Sequence, residues 1–236
     1  MDTPQRRSRL PLIAGIVVVL VAVAVGAFLY ATRDTSDPEL QIAETDEGTG
    51  EAVDTGSLDG SWTVVPGEGE NLTEAGYRVR EVFAAGSREA TANGRTKDVT
   101  GTLTVAGGAV TEGSFTVDVT TLQSDEGRRD NAIKDRGLQT NEFPEATFAL
   151  TEPVPLPELA DGEAFEVEVT GELTLHGVTN PVTIPLEGLV SGDTITVQGS
   201  APVVMADYEI EPPSVGGFVE VEDEGSFEFL VNFQQA

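Results

Sequence analysis

Residues 165–175 alternate strictly. Phe165, Val167, Val169, Gly171, Leu173 and Leu175 fall on one side, and Glu166, Glu168, Thr170, Glu172 and Thr174 on the other. A period of two sends successive side chains to opposite faces of a strand, so this segment reads as a long strand with one face buried and one in water. The pattern recurs at Val99, Gly101, Leu103 and Val105, before a turn at Gly107 and Gly108. It returns at Phe115, Val117 and Val119, at Val182, Ile184 and Leu186, and at Ile195 and Val197. The last instance is Phe227, Phe229, Val231 and Phe233. Shorter candidates lie at 62–65, 77–83, 147–150 and 201–205. Roughly eight or more strands joined by short Gly/Asp turns imply meander connections and an antiparallel sheet. One apolar face per strand leaves a barrel or a sandwich, and strands as long as 165–175 suit a barrel, which has no edges.

One stretch breaks the pattern. Residues 125–143, DEGRRDNAIKDRGLQTNEF, are polar and contain no β-branched run. Acids early and bases late suit a helix dipole, which predicts a short helix at 128–136 stopped by Gly137.

The N-terminal region follows different rules. Residues 10–30 are 21 positions without a charge, preceded by Arg6, Arg7 and Arg9. As a helix they span about 31 Å, enough for the hydrocarbon core. The positive-inside rule leaves 1–9 in the cytoplasm and the rest of the chain outside, a single-pass protein of the cell membrane. A cleaved signal peptide is the competing reading, although its apolar region is usually shorter. Residues 31–56 are acidic and without apolar period, as expected of a disordered linker. The β domain is then 57–236.

Several functions are excluded or weakened by residue type. The net charge is −28, which disfavours nucleic acid as a partner. There is no cysteine and one histidine, His176, so thiolate zinc sites, cysteine nucleophiles and multi-histidine metal sites are ruled out. By strand parity His176 joins Glu172 and Thr174 on the polar face, as a turn histidine bonded to backbone. No G-x-S-x-G elbow and no Gly-rich phosphate loop occur. The run Glu220, Glu222, Asp223, Glu224 lacks calcium-loop spacing and reads as a solvated strand face and turn. No catalytic residue, metal ligand or cofactor is expected. What remains is the inward set: Phe115, Val117, Val119, Phe148, Phe165, Val167, Val169, Leu173, Ile184, Leu186, Phe227 and Phe229. These either pack a solid core or line a ligand space.

Several motifs occur in a fixed order. They are DGSWTV (59–64), GYRVREVF (76–83), GRTKDVTGTL (94–103), SFTVDVTTLQSD (114–125), RRDNAIKDRGLQTNEFPEATFALT (128–151), GELTLHGVTNPVTIPLEG (171–188) and DEGSFEFLVNF (223–233). This order resembles the YceI family over about 57–236, most specifically in L-T-x-H-G-V-T-x-P-V and in R-D followed by F-P-x-A-x-F. The resemblance implies an extended lipocalin-like antiparallel barrel with a helical excursion. It also implies an apolar tunnel for a polyisoprenoid lipid, an isoprenoid quinone or a polyprenyl phosphate. The twelve inward residues would line that tunnel, and Arg128 and Arg129 either contact an anionic head group or pair with Asp130 and nearby acids.

Overall fold

The computed structural model describes residues 38–43, 48–83, 88–213 and 219–236. The alternating segments are strands. In chain order the long ones are β1 (Gly60–Val65), β2 (Glu74–Phe83), β3 (Arg88–Thr96), β4 (Val99–Ala106) and β5 (Ala109–Asp118). They continue with β6 (Glu145–Leu150), β7 (Ala164–Leu175), β8 (Val178–Ser191), β9 (Thr194–Val204) and β10 (Val219–Gln235). Eight of them form a closed ring in the order β1, β4, β5, β6, β7, β8, β9, β10, and β10 returns to β1. Of the two architectures the alternation allowed, the barrel is the one adopted.

β10 closes the ring because it is long enough to serve two partners on one edge. Residues 232–235 pair with β1 and residues 219–230 with β2. The β2–β3 hairpin therefore extends the wall beyond the end of β1. The register of β10 against β2 shifts between Val221 and Gly225, and the exposed Glu222, Asp223 and Glu224 occupy that irregularity. A bulge there bends the strand and leaves the three acids in water.

The inward faces are the apolar ones. Phe148, Val169, Leu173, Ile184, Phe227 and Phe229 are all nearly inaccessible. Two inward glycines make room for rings rather than turns. A Cβ on Gly171 would sit 2.3 Å from the Phe148 ring, and one on Gly188 would sit 2.3 Å from the Phe165 ring. In strands, glycine often marks such close approaches.

The excursion is helical over 127–137, spanning the expected 128–136 and ending at Gly137. α1 is Gly127–Ala132, and a π turn over Ile133–Gly137 continues it. The Glu126 carboxylate caps α1 by accepting from the Arg128 amide at 3.2 Å. Arg129 fixes the helix to the barrel, donating to both carboxylate oxygens of Glu81 at 2.8 and 3.0 Å.

The structure bears on only part of the N-terminal expectations. The membrane helix expected at 10–30 lies outside the described residues; among those described, no helix is long and apolar enough to cross a membrane. The linker expected at 31–56 is, over its described part, laid against the barrel. Ala52 and Val53 pair with Ala160 and Leu159, and residues 55–58 form a 3-10 turn capped by Asp54. Composition weighs apolar burial, and here backbone pairing and side-chain caps hold an otherwise polar segment.

The parity placement of His176 is corrected. The strand ends at Leu175, and His176 takes a left-handed φ of +52°, which turns its ring inward to 9% exposure. Nδ1 lies 3.0 Å from the Tyr208 carbonyl, which can only accept, so Nδ1 carries the proton. Nε2 then accepts from the Gln139 amide at 3.0 Å, and Phe143 packs edge-on at 4.4 Å between centroids. Among the described residues, the other two non-glycine residues with positive φ are Gln139, which bonds this ring, and Glu209, which follows Tyr208. The imidazole ties three corners together, as an architectural residue does. His176→Ala is expected to destabilise the barrel by about 2–4 kcal/mol, from two lost hydrogen bonds and a cavity beside Phe143. Urea unfolding of both proteins measures it, and a change under 1 kcal/mol, on the order of one ordinary hydrogen bond, removes the tie.

Candidate functional site

The barrel holds an internal cavity of about 110 Å³, walled almost wholly by apolar side chains. The wall is built from the inward alternation. Phe165, Val167 and Val169 come from β7, Ile184 and Leu186 from β8, Phe115 from β5, Phe148 from β6 and Phe229 from β10. Phe115 stacks on Phe148 at 5.4 Å and tilts against Phe229 at 5.2 Å. Phe115, Phe165, Val167 and Leu186 are only half-buried although they point inward, so part of their free surface is cavity surface.

A second cavity of about 50 Å³ lies toward the helical end, with Tyr77, Ile133, Leu138, Leu175, Met205 and Phe227 in its wall. Strand register places a packed layer between the two. Along β7, Val169 touches the larger cavity and Leu175 the smaller, with the buried Leu173 between them. Along β10, Phe229 touches one and Phe227 the other.

The twelve inward residues therefore divide. Eight line the larger cavity and Phe227 lines the smaller. Val117 and Leu173 are fully packed without touching either. Val119 sits beneath the helical excursion, beside Tyr77, Asp130 and Lys134.

The two arginines also part company. Arg129 is committed to Glu81 and Asp125, and the Glu81 hydrogen bonds hold its guanidinium pKa above the ordinary arginine value. Arg128 is exposed at the start of α1. Of these two, Arg128 is the one that presents its guanidinium to solvent. Tyr77, in the smaller cavity's wall, has its phenol pKa pushed up by burial, and it remains neutral there.

Alternation did not reveal the end of the larger cavity, which is closed by Leu58, Val154, Leu156 and Leu159. The last three belong to EPVPLPELADGE, where prolines alternate with apolar residues. That alternation was a usable signal, masked because Pro is read as a strand breaker. Val154 and Pro155 pair with Val110 and Ala109, on the rim of β5. Asp161 holds this cap shut. One carboxylate oxygen accepts from the Thr49 amide and hydroxyl, both at 3.0 Å, and the other from the Gly192 amide at 2.9 Å.

Those hydrogen bonds, the Thr49 amide foremost, then the Gly192 amide and the Thr49 hydroxyl, hold the Asp161 carboxyl below the usual carboxylate pKa. A depressed pKa contributes stability above the unfolded value and loses it as pH falls through the folded one. Protection of the Thr49 and Gly192 amides, relative to the intrinsic rate at the same pH, is therefore expected to persist at pH 5 and to fall only below about pH 4, the ordinary carboxylate value. Loss of protection already at pH 6 would show that Asp161 does not hold these amides.

A closed antiparallel barrel around an apolar interior, with one short helical excursion, is a lipocalin-like shell. More specifically, the chain belongs to the YceI-like domain family, whose model matches residues 62–233. It is 32% identical over 113 residues to a UPF0312 protein of Vibrio parahaemolyticus, covering 45% of this chain and 57% of that protein. It is 33% identical over 103 residues to Protein YceI of Shigella flexneri, covering 42% and 50%. The chain thus spans about half the length of the curated relatives it matches. Among solved structures, a polyisoprenoid binding domain from Saccharophagus degradans, implicated in plant cell wall breakdown, superimposes with a TM-score of 0.55. That match has 17% identity and covers 74% of this chain and 98% of the other. It shows a shared fold.

Proposed function

We propose that the barrel binds a polyisoprenoid lipid, an isoprenoid quinone or a polyprenyl phosphate, and sequesters or carries it without chemical change. The observation that carries this reading is the cavity wall itself: eight inward residues of five strands converge on an uncharged space. The fold shared with a polyisoprenoid binding domain supports it. Residues 10–30 would tether the protein to the membrane with the barrel outside the cytoplasm, beside its lipid source. Were the ligand a polyprenyl phosphate, Arg128 at the helical end would be the cation to meet its head group.

Magnitudes set the size of the ligand. Burying one CH₂ is worth about 0.8 kcal/mol, so an isoprene unit of five carbons contributes ~4 kcal/mol. Association costs at least about 4 kcal/mol. One unit therefore breaks even, and two or more bind.

The test is to purify the full chain from a prenyl-lipid-containing host and identify the co-extracted lipid by mass spectrometry. A stoichiometric prenyl lipid is the expected result. A lipid-free protein that also rejects added quinones and polyprenyl phosphates would leave the barrel as a structural or interaction module of the cell envelope.

A further inference from the structure

We propose that residues 48–58 are a latch over the mouth of the larger cavity, and that this mouth passes an electrically neutral prenyl lipid, a quinone or prenol rather than a phosphate. The inference rests on the lipid-binding reading and specifies its route and its ligand class.

The closed state is too small for the ligand that the energetics require. Its larger cavity, about 110 Å³, is near the size of an engineered apolar cavity, about 150 Å³, that takes up one benzene ring. It holds roughly one isoprene unit, so some part of the wall must move for a longer chain to enter. The barrel strands are poor candidates. β7 and β8 alone share twelve register pairs, from Ala164↔Leu189 to Leu175↔Val178. The cap is held far more lightly. Its inner half has two register pairs, Val154↔Val110 and Pro155↔Ala109, with the Leu156 amide bonded to the Gly108 carbonyl. Its outer half has two more, Ala52↔Ala160 and Val53↔Leu159. Segments with few pairs and exposed hydrogen bonds open first.

Residues 48–58 cross over that cap and fasten it. The Gly50 amide donates to the Asp161 carbonyl, and the Asp161 amide donates to the Glu51 carbonyl, both at 2.9 Å. Gly48 and Gly162 cross backbone on backbone, where a Cβ on Gly48 would lie 2.4 Å from the Gly162 Cα. Thr49 and Gly192 converge on the Asp161 carboxylate. The Leu58 side chain then reaches down into the cavity wall, while its carbonyl accepts from the Trp62 indole at 2.9 Å. All of these latch residues precede the family match at residue 62.

Charge selects what passes. Residues 48–58 and 151–163 contain Glu51, Asp54, Glu152, Glu158, Asp161 and Glu163, and no Lys or Arg. A dianionic phosphate approaching this end meets like charge, which slows association and lets salt relieve it. A quinone or prenol head group meets no such barrier.

Trp62 is the sole tryptophan and touches the latch through Leu58, so its fluorescence reports entry. The probes are a ubiquinone with two isoprene units, which quenches indole emission, and farnesyl monophosphate as its competitor. Because the chain has no cysteine, Ala52→Cys with Ala160→Cys can be oxidised to lock the latch without side pairing. Residues directly opposite on antiparallel strands lie within disulfide reach. In stopped flow, the oxidised double variant is expected to take up and release the quinone about tenfold or more slowly, because a closed cap opens only with the barrel. Dithiothreitol restores the rate. Asp161→Asn is expected to speed exchange and to raise amide exchange across 154–160. Farnesyl monophosphate is expected to compete poorly at low salt. Quinone exchange at the wild-type rate in the locked protein overturns the latch while leaving lipid binding intact. Farnesyl monophosphate that competes equally well at low and high salt overturns the charge selection. A wild-type chain that binds neither probe overturns the lipid reading itself, and the portal with it.

Discussion

Replacing Glu228 by alanine is expected to cost about 3–5 kcal/mol of stability, close to the whole margin of an ordinary domain. Glu228 lies on β10 between the inward Phe227 and Phe229, so alternation sends it outward, yet its side chain is only 3% exposed. Arg78 of β2 reaches one carboxylate oxygen from Nε at 3.1 Å. Arg95 of β3 reaches the other from Nη2 at 2.8 Å and also donates to the Pro38 carbonyl. Both guanidiniums are 15% exposed. Removing the carboxylate takes the shared counter-charge from two half-buried guanidiniums on the stretch of β10 that pairs with β2. The penalty is that of uncompensated charge, larger than the net worth of the intact cluster. Glu228→Gln keeps shape and two acceptor lone pairs but removes the charge, and it should fall between wild type and alanine. Urea midpoints for the three proteins check the order. Alanine and wild type within 1 kcal/mol, on the order of an exposed pair, would mean the cluster behaves as a surface ion pair.

This cluster shows where sequence reading reaches its limit. The strands, their faces and the closed barrel were legible because a half-buried strand writes its environment every second residue, as Phe165 to Leu175 do. The cavity-lining residues were legible for the same reason. Alternation separates inward from outward, but it does not separate empty space from packing. Val117 and Phe115 read identically, yet one is fully packed and the other faces the cavity. That difference depends on which residues stand opposite across the barrel, which no local pattern records. His176 was misplaced because parity was continued one residue past the end of β7, where a left-handed φ reverses it. Ion pairing of Arg129 with nearby acids is one of its two sequence readings, and Asp125 fits it, but the main partner Glu81 lies 48 positions away. The cap was missed because its apolar residues alternate with prolines, and residues 48–58 because polar composition hides short ladders and caps.

The sharpest test of the interior is to fill it. Val167→Trp is expected to weaken binding of a two-isoprene ubiquinone by more than about a hundredfold, a loss of ~2.7 kcal/mol or more at 1.4 kcal/mol per decade. Val167 lies on β7 with its side chain in the cavity wall, half-buried rather than packed. An indole there occupies the space that one isoprene unit would take, since the cavity is only about 110 Å³. The lost burial is about five CH₂ groups, ~4 kcal/mol, more than enough for the expected drop. Overpacking limits the cost to the fold to about 1–3 kcal/mol, so the protein stays folded while binding fails. A control separates space from stability. Leu173→Val removes a methylene from the packed layer between the cavities, where the side chain is 2% exposed. It should cost about 1 kcal/mol of stability and leave quinone affinity within a few-fold. If Val167→Trp binds the quinone as tightly as the parent while Leu173→Val does not, the ligand lies elsewhere. The partition, rather than the cavity, would then be the part of the interior that matters for binding.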